Sequence, residues 1–136
     1  MARPLDFLLD TNFLVGLWRQ PTKGPEARFL AARPDVELGL PWVAKGEFLA
    51  GAAIAGHDLD RVAIFVADFP VVLPDDAMLM RYAEVFASLR NRKLTIGPND
   101  LWIGVAALRV GVPLLTRNVR ELSRIEGLRV VDYAEV

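Results

Sequence analysis

The sequence predicts an α/β fold, a three-layer α/β/α sandwich around a central and mainly parallel sheet. Short apolar runs alternate with helical apolar patterns, and Gly and Pro residues separate them along the 136-residue chain. Strands that alternate with helices imply a parallel sheet covered on both faces. The length fits one domain, and 53% hydrophobic residues exclude a disordered chain. We therefore expect a single domain over residues 1–136.

The first strand and helix are predicted by a change of pattern at Asp10. Phe7-Leu8-Leu9 is a short apolar run that stops at Asp10-Thr11-Asn12, and a helical apolar spacing follows it. Asp, Thr and Asn favour helix N-caps. A buried strand therefore runs directly into a helix that begins at Thr11.

Pro and Gly residues divide the next part of the chain. After the break over residues 21–25, the patterns predict a helix over 26–32, a strand over 36–40, a helix over 42–55, a helix over 59–68 and a strand over 71–73. Pro41 is expected at the first helical position before Trp42, and Gly56 is expected to end that helix.

The last part begins with a long helix over residues 75–91. Its apolar residues share one face: Leu79, Tyr82, Val85, Phe86 and Leu89. Pro98-Asn99-Asp100 opens a helix over 101–110, which Gly111 closes. A strand over 112–116, a helical turn over 119–124 and a strand over 128–131 follow.

Composition excludes several kinds of site. The chain has no cysteine and one histidine, His57, so thiolate zinc sites, disulfides, Cys nucleophiles and two-imidazole sites are excluded. His57 follows Gly56 and is expected to be a solvated loop residue. No apolar run reaches the ~20 residues that span a bilayer, and the first residues lack a signal-peptide core. We expect a cytoplasmic protein without membrane contact.

Three acidic residues fall where a parallel sheet gathers ligand-binding groups. Asp10 ends the first strand, Glu47 lies in the helix after the second, and Asp100 opens the helix before a later strand. Ligands bind beyond the carboxyl ends of parallel strands. Carboxylates gathered there indicate a hard divalent cation, Mg²⁺ or Mn²⁺. The local sequence leaves simpler roles open: Asp10 as a helix cap, Asp100 as a cap or a partner of the helix dipole, and Glu47 as a solvated helix residue.

Four segments of the chain carry a resemblance to a known family. They are Leu8-Leu9-Asp10-Thr11-Asn12, Gly46-Glu47 inside an apolar helix, Ile96-Gly97-Pro98-Asn99-Asp100-Leu101-Trp102-Ile103, and the closing strand–turn–strand between Leu114 and Val130. In this order and spacing they are similar to PIN-domain nucleases, especially VapC-type toxins. The resemblance implies a metal-dependent endoribonuclease, the toxin of a type II toxin–antitoxin pair. Asp10, Glu47 and Asp100 would be its ligands for Mg²⁺ or Mn²⁺.

The same resemblance assigns roles to neighbouring polar residues. Thr11 and Thr116 would be hydroxyls that hold a carboxylate or a metal-bound water, or else ordinary hydrogen-bonding residues at a cap and a strand end. Many PIN domains have a fourth acid where this chain has Asn118, which could still coordinate or hydrogen-bond through its carbonyl. We therefore expect one firmly bound metal. Glu121 could partly replace the missing acid or be a solvated helix residue.

Charge distribution suggests where RNA would bind. Residues 90–129 carry a net charge of +5 and residues 1–89 carry −4. As a group, five basic residues are candidates for RNA backbone contacts, although each alone could be an ordinary solvated side chain: Arg90, Arg92, Lys93, Arg117 and Arg120.

High hydrophobic content suggests that part of the surface is covered by another chain. The resemblance implies a homodimer and a VapB-type antitoxin, whose C-terminal segment would lie in a groove near the acids. Four aromatic residues could line that groove, although their helical spacing is more typical of a core: Trp18, Trp42, Phe48 and Trp102.

Other functions remain as alternatives. One is a PIN-domain RNA-processing nuclease without an antitoxin, and another is a catalytically impaired module that binds RNA or protein, which Asn118 would favour. A phospho-acceptor receiver domain would need Lys where Thr116-Arg117-Asn118 stands. Nucleotide binding is disfavoured because neither glycine-rich phosphate motif occurs.

Overall fold

The computed structural model describes residues 3–135, which contain five strands and seven helices. The elements in chain order are β1 (Phe7–Leu9), α1 (Thr11–Arg19), α2 (Gly24–Ala32), β2 (Leu38–Pro41), α3 (Trp42–Ile54), α4 (Leu59–Val66), β3 (Val71–Val72), α5 (Asp76–Asn91), α6 (Pro98–Val110), β4 (Leu114–Leu115), α7 (Val119–Leu122) and β5 (Val130–Val131). The predicted domain range 1–136 also includes Met1, Ala2 and Val136, which lie outside the described residues. Between residues 3 and 135, no helix is long and apolar enough to cross a membrane.

The sheet has the strand order β3-β2-β1-β4-β5, and every neighbouring pair is parallel. Leu8 in β1 pairs with Gly39 in β2 on one side and with Leu114 in β4 on the other. Leu8 has no exposed surface, as expected for a central strand between two helical layers. The three-layer α/β/α prediction is confirmed.

Helix α1 begins almost directly after β1 and is held there by contacts between aromatic rings. Its Phe13 is fully buried, and the Phe13 ring meets the rings of Phe29 and Tyr133 edge-on, with centroid separations of 6.1 and 5.0 Å. Edge-to-face aromatic pairs of this kind stabilise beyond the area they bury. These contacts join α1, α2 and the segment after β5, so the residues at the start of α1 are held in place.

Several element boundaries differ by one to three residues from the sequence prediction, and two of these differences lie at the starts of the helices that carry Glu47 and Asp100. Pro41 lies in β2 and caps α3, because its backbone is still extended, with φ −58° and ψ 140°. Helix α6 begins at Pro98 after the cap residue Gly97, so Asp100 lies within the first turn and does not cap the helix.

The predicted apolar face of α5 is only partly buried. Val85 and Leu89 are in the core, Tyr82 is half-buried, and Leu79 and Phe86 are 49% and 45% exposed. Since α5 packs mainly against α6, only a narrow stripe of the helix is covered. Phe86 therefore remains available at the surface.

Helix α6 requires a glycine where it meets the segment after α7. A Cβ added at Gly104 would lie 2.5 Å from Cδ1 of Ile125 and 3.2 Å from Cδ2 of Leu122, and both of these side chains are buried. The backbone of α6 can therefore approach α7 closely. This contact sets the distance between Asp100 on α6 and the residues around α7.

Replacing Gly104 with Ala should lower the free energy of unfolding by about 1–3 kcal/mol, because overpacking outweighs the better helix propensity of Ala. The matched control is Gly51→Ala in α3, where an added Cβ meets no atom within 4 Å. The control should raise stability by up to about 1 kcal/mol. Urea denaturation of both variants measures the difference, and equal stabilisation by both would contradict this packing.

Candidate active site

The carboxyl ends of β1 and β4 lie side by side and place Asp10 next to Thr116. Leu9 is in register with Leu115, and the Asp10 N–H donates to the Leu115 carbonyl at 3.2 Å. Asp10 is only 5% exposed, and its Oδ1 accepts the Phe13 N–H at 3.0 Å, so it caps α1. Asp10 therefore caps α1, as the alternative interpretation predicted, and it also lies at the edge of the sheet.

The Asp10 carboxyl lies in an electrostatically unfavourable position. Burial raises the pKa of Asp10 to about 6 despite hydrogen bonds from Thr116 and the Phe13 N–H, and the charges of Asp100 and Glu47 raise it further. Among residues 3–135, no ion pair involves any of these three acids. Asp10 therefore has hydrogen-bond donors but no counter-charge.

Glu47 is held from two sides. Thr11 Oγ1 donates to Glu47 Oε1 at 2.7 Å, and Asn99 Nδ2 donates to Oε2 at 3.1 Å. These contacts link α3 to the first turns of α1 and α6, so Glu47 is not simply a solvated helix residue. Sequence reasoning did not assign a site role to Asn99. Its position directly before Asp100 was the available signal, but Asn beside a Pro at a helix start is also typical of a cap.

Asn118 bridges two further carboxylates. Its Nδ2 donates to Asp100 Oδ2 at 3.2 Å and to Glu121 Oε2 at 2.8 Å, and its backbone N–H donates to Thr116 Oγ1 at 2.9 Å. Ionised carboxylates only accept hydrogen bonds, so the amide presents its NH₂ group and not the expected carbonyl. Glu121 therefore joins the cluster. Burial raises the pKa of Asp100, although the hydrogen bond from Asn118 acts to lower it, and the charges of Glu47 and Glu121 raise it further.

Hydrogen bonds bring carboxylate, hydroxyl and amide groups together at the site, but no metal centre is preformed among the described residues. Asp10, Glu47 and Asp100 influence one another electrostatically. Within residues 3–135, however, no three acidic or histidine side chains are close enough together to hold a metal ion between them. The available donors are carboxylate, hydroxyl and amide oxygens, which are the ligands that Mg²⁺ and Mn²⁺ prefer. The donor chemistry therefore fits a hard divalent cation.

The five predicted RNA-contacting residues occupy two places. Arg117 and Arg120 are exposed on either side of Asn118, and Arg90 and Lys93 are exposed at the end of α5. Arg92 is already engaged: its guanidinium donates to Ser88 Oγ at 3.2 Å and to the Arg124 carbonyl at 2.7 Å, and it lies 3.8 Å from Glu126. Its contacts connect α5 to the segment after α7.

The four aromatic groove candidates lie mostly in the interior. Phe48 is buried, and Trp18, Trp42 and Trp102 are half-buried. The Trp42 and Trp102 rings meet edge-on with their centroids 5.5 Å apart, and the Tyr82 ring stacks on the Trp102 ring with a centroid separation of 3.8 Å. The exposed His57 packs its ring against that of Trp18, with the two centroids 5.6 Å apart.

Comparisons with known proteins agree with this architecture. The sequence model of the PIN domain family matches residues 7–128. Ribonuclease VapC1 of Haemophilus influenzae strain R2866 is 26% identical over 95% of this chain and 98% of its own length. The tRNA(fMet)-specific endonuclease VapC of Shigella flexneri is 26% identical over 96% of this chain and 99% of its own length.

Solved structures show the same fold. The VapBC-1 structure from nontypeable Haemophilus influenzae has a chain with a TM-score of 0.79 and 25% identity, which covers 95% of this chain and 98% of that chain. A chain of the DNA-bound VapBC structure from Salmonella typhimurium has a TM-score of 0.83 and 23% identity, with coverage of 95% and 98%.

Replacing Asp10 with Asn should stabilise the metal-free protein at about pH 8 and have little effect near pH 4. The carboxyl titrates near 6 in the folded chain and near 3.8 when unfolded. The folded state therefore binds the proton more tightly, and the parent loses about 2–3 kcal/mol as pH rises through this window. Asn can still cap α1. Urea denaturation in EDTA at both pH values measures the effect.

Asp75→Asn is the matched control, because Asp75 also caps a helix by accepting the Met78 N–H at 2.8 Å. Hydrogen bonds from Arg109 hold the pKa of Asp75 below its ordinary value. The Asp75 variant should therefore lose stability at about pH 8, and the loss should shrink as pH falls through that lowered pKa. The same pH dependence in both variants would contradict the assignment for Asp10.

Proposed function

The chain belongs to the PIN domain family, and from this premise we propose that it is a VapC-type endoribonuclease that depends on Mg²⁺ or Mn²⁺. It would be the toxin of a toxin–antitoxin pair and act on cellular RNA in the cytoplasm, with residues 1–136 as its single domain. The observation that carries the proposal is a set of carboxylates without counter-charges, namely Asp10 at the end of β1, Glu47 on α3 and Asp100 on α6. A carboxylate cluster of this kind is costly unless a cation binds it.

Asp10, Glu47 and Asp100 would hold the cation, and their side chains would have to move towards it, since they are not close enough together in the structure to do so. When bound, a divalent cation lowers the pKa of a coordinated water and neutralises the charge that develops on the phosphate and the leaving oxygen. Two donors, the Phe13 N–H and the Thr116 hydroxyl, would fix the carboxylate of Asp10. This carboxylate would set the position at which the scissile phosphate meets the protein.

The neutral donors would orient the other two ligands. Thr11 and Asn99 hold the two oxygens of Glu47, and Asn118 holds Asp100. Such outer contacts fix the orientation of metal ligands. Because these donors carry no charge, they do not compete with the cation for the negative potential of the site.

The basic residues beside the cluster would hold the RNA backbone. Arg117 and Arg120 are exposed next to Asn118, where phosphates on either side of the cleaved bond would pass. Arg90 and Lys93 would extend the contact along the end of α5. Arg92 would contribute less to RNA binding, because Ser88 and the Arg124 carbonyl already engage its guanidinium.

We also propose a VapB-type antitoxin and a homodimer as partners. Relatives at full length are named as ribonucleases VapC, and the structural relatives include VapBC assemblies. Large apolar side chains are exposed on this chain, including Ile54 at 89% and Ile64 at 74%, and a partner could cover them. An Arg from the antitoxin could pair with the carboxylates and displace the metal.

Asp10→Asn, Glu47→Gln and Asp100→Asn should each lower metal-dependent RNA cleavage by at least ~100-fold, because each removes a ligand charge. Thr11→Ala should cost roughly 10–100-fold, because Glu47 loses one of its two orienting donors. The assay follows fragments of total cellular RNA with Mg²⁺, Mn²⁺ or EDTA, using antitoxin-free protein.

The control is Asp68→Asn, which neutralises an exposed carboxylate after α4 and should leave cleavage unchanged. Discrete cuts by the parent that disappear in EDTA would support the proposal. Folded parent protein that makes no cuts with either metal would contradict it and favour a module that only binds RNA or protein.

The parent should bind one Mn²⁺ tightly, and Asn118→Asp should create a second measurable site. In the parent, the Asn118 amide donates to Asp100 and Glu121, whereas an Asp at this position would add a further acceptor charge beside these two acids. Isothermal titration with Mn²⁺ counts the sites. Two equally tight sites in the parent would contradict this explanation of Asn118.

A further inference from the structure

A cavity of about 300 Å³ lies between the end of α5 and the loop that leads into α6. Its main lining residues are Phe86, Arg90, Lys93, Leu94, Ile96 and Leu101. Leu101 directly follows Asp100, so the cavity adjoins the first turn of the helix that carries a proposed metal ligand. We infer that this cavity binds the base of one nucleotide of the RNA substrate next to the scissile bond. The inference rests on the proposed ribonuclease function and extends it to substrate recognition.

The backbone at Lys93 is the first observation in favour. Lys93 has φ 56° and is the one non-glycine residue with positive φ among residues 3–135. Lys93 follows α5 in the left-handed conformation that glycine usually adopts after a helix, and two hydrogen bonds close the helix end. The Lys93 N–H donates to the Arg90 carbonyl at 3.1 Å, and the Leu94 N–H donates to the Leu89 carbonyl at 2.9 Å. Gly111 fills the comparable position after α6, with φ 84°. A lysine here adopts a strained backbone, and this residue lines the cavity.

The charges beside the cavity are the second observation. Arg90 and Lys93 are exposed, and within residues 3–135 neither makes an ion pair. The neighbouring Arg92, by contrast, is engaged by Ser88, the Arg124 carbonyl and Glu126. Two cations beside an apolar cavity match the two parts of a nucleotide, because the phosphate needs positive charge and the base needs an apolar or aromatic surface.

The cavity wall is the third observation. Phe86 is 45% exposed at the edge, and half-buried Leu94 and Ile96 form apolar wall with buried Leu101. An exposed aromatic ring can stack on any base, and a cavity of about 300 Å³ suits one base better than a helix or strand. A second copy of the chain is less compatible, since a two-fold contact at this place would bring Arg90 and Lys93 toward their own equivalents.

The test is an NMR titration of the full chain in EDTA with AMP, GMP, CMP and UMP, compared with ribose 5-phosphate and inorganic phosphate. Nucleoside monophosphates should shift the resonances of Leu94, Ile96 and Leu101, and ribose 5-phosphate should bind about tenfold more weakly. Phe86→Ala should weaken binding about tenfold through lost stacking. Arg61→Ala, which removes the charge of an exposed residue on α4, is the matched control and should bind as the parent does.

Lys93→Gly separates a ligand-binding role from a structural one. Glycine adopts positive φ without strain, so this variant should melt at a higher temperature than the parent and yet bind nucleotides more weakly. A variant that is more stable and binds AMP as tightly as the parent would overturn the role of Lys93.

Three results would overturn the inference as a whole. They are no shift in the cavity with any nucleotide, equal affinity for ribose 5-phosphate and AMP, and a change from dimer to monomer in Phe86→Ala without a change in nucleotide affinity. If the parent cleaves RNA but no nucleotide shifts the resonances of the cavity residues, this inference alone is rejected and the proposed ribonuclease function stands. Nucleotide binding in the cavity by a parent that does not cleave RNA would reject the ribonuclease and leave the nucleotide site standing.

Discussion

The parallel pairing of β1 with β4 is the contact on which the rest of the site depends. Its register brings Leu9 opposite Leu115, and the next residues, Asp10 and Thr116, then share one edge of the sheet. Because α1 starts at once after Asp10, the carboxylate caps that helix and is held close to other acids. The same short connection places Thr11 within hydrogen-bond distance of Glu47. A shift of one residue in this pairing would turn these side chains to the opposite face.

Within the described residues, the carboxylates of the site accept hydrogen bonds from neutral donors and make no ion pair. Thr116 and Asn99 each donate to one of the acids and Asn118 donates to two, and none of these residues changes the net charge of the cluster. An Arg or Lys in their place would lower the electrostatic cost of the metal-free protein, but it would also remove the negative potential that attracts a divalent cation. The carboxylates without counter-charges therefore lower the free energy of unfolding at the place where the proposed chemistry occurs, which is common at functional sites.

Much of this organisation follows from the sequence, because it depends on local patterns. The order of strands and helices could be predicted from apolar spacing and from Gly and Pro positions, and the common location of Asp10 and Asp100 from the rule that strand ends meet at one edge. What could not be predicted depends on contacts between distant segments. The NH₂ orientation of Asn118 is set by Asp100, and the exposure of Phe86 by how narrowly α6 covers α5. The strained backbone at Lys93 has no signal in composition or periodicity, since Gly is the usual residue there.

The central claim is that a buried, uncompensated carboxylate at the end of β1 is a cation ligand. Its most direct test is a ¹³C NMR titration of the Asp10 carboxyl group, first in EDTA and then with saturating Mg²⁺. If Asp10 is a cation ligand, its pKa should be about 6 without metal and below the ordinary 3.8 when Mg²⁺ is present. A pKa of Asp10 that stays near 6 with Mg²⁺ would contradict this role, because the cation would then bind elsewhere or not at all.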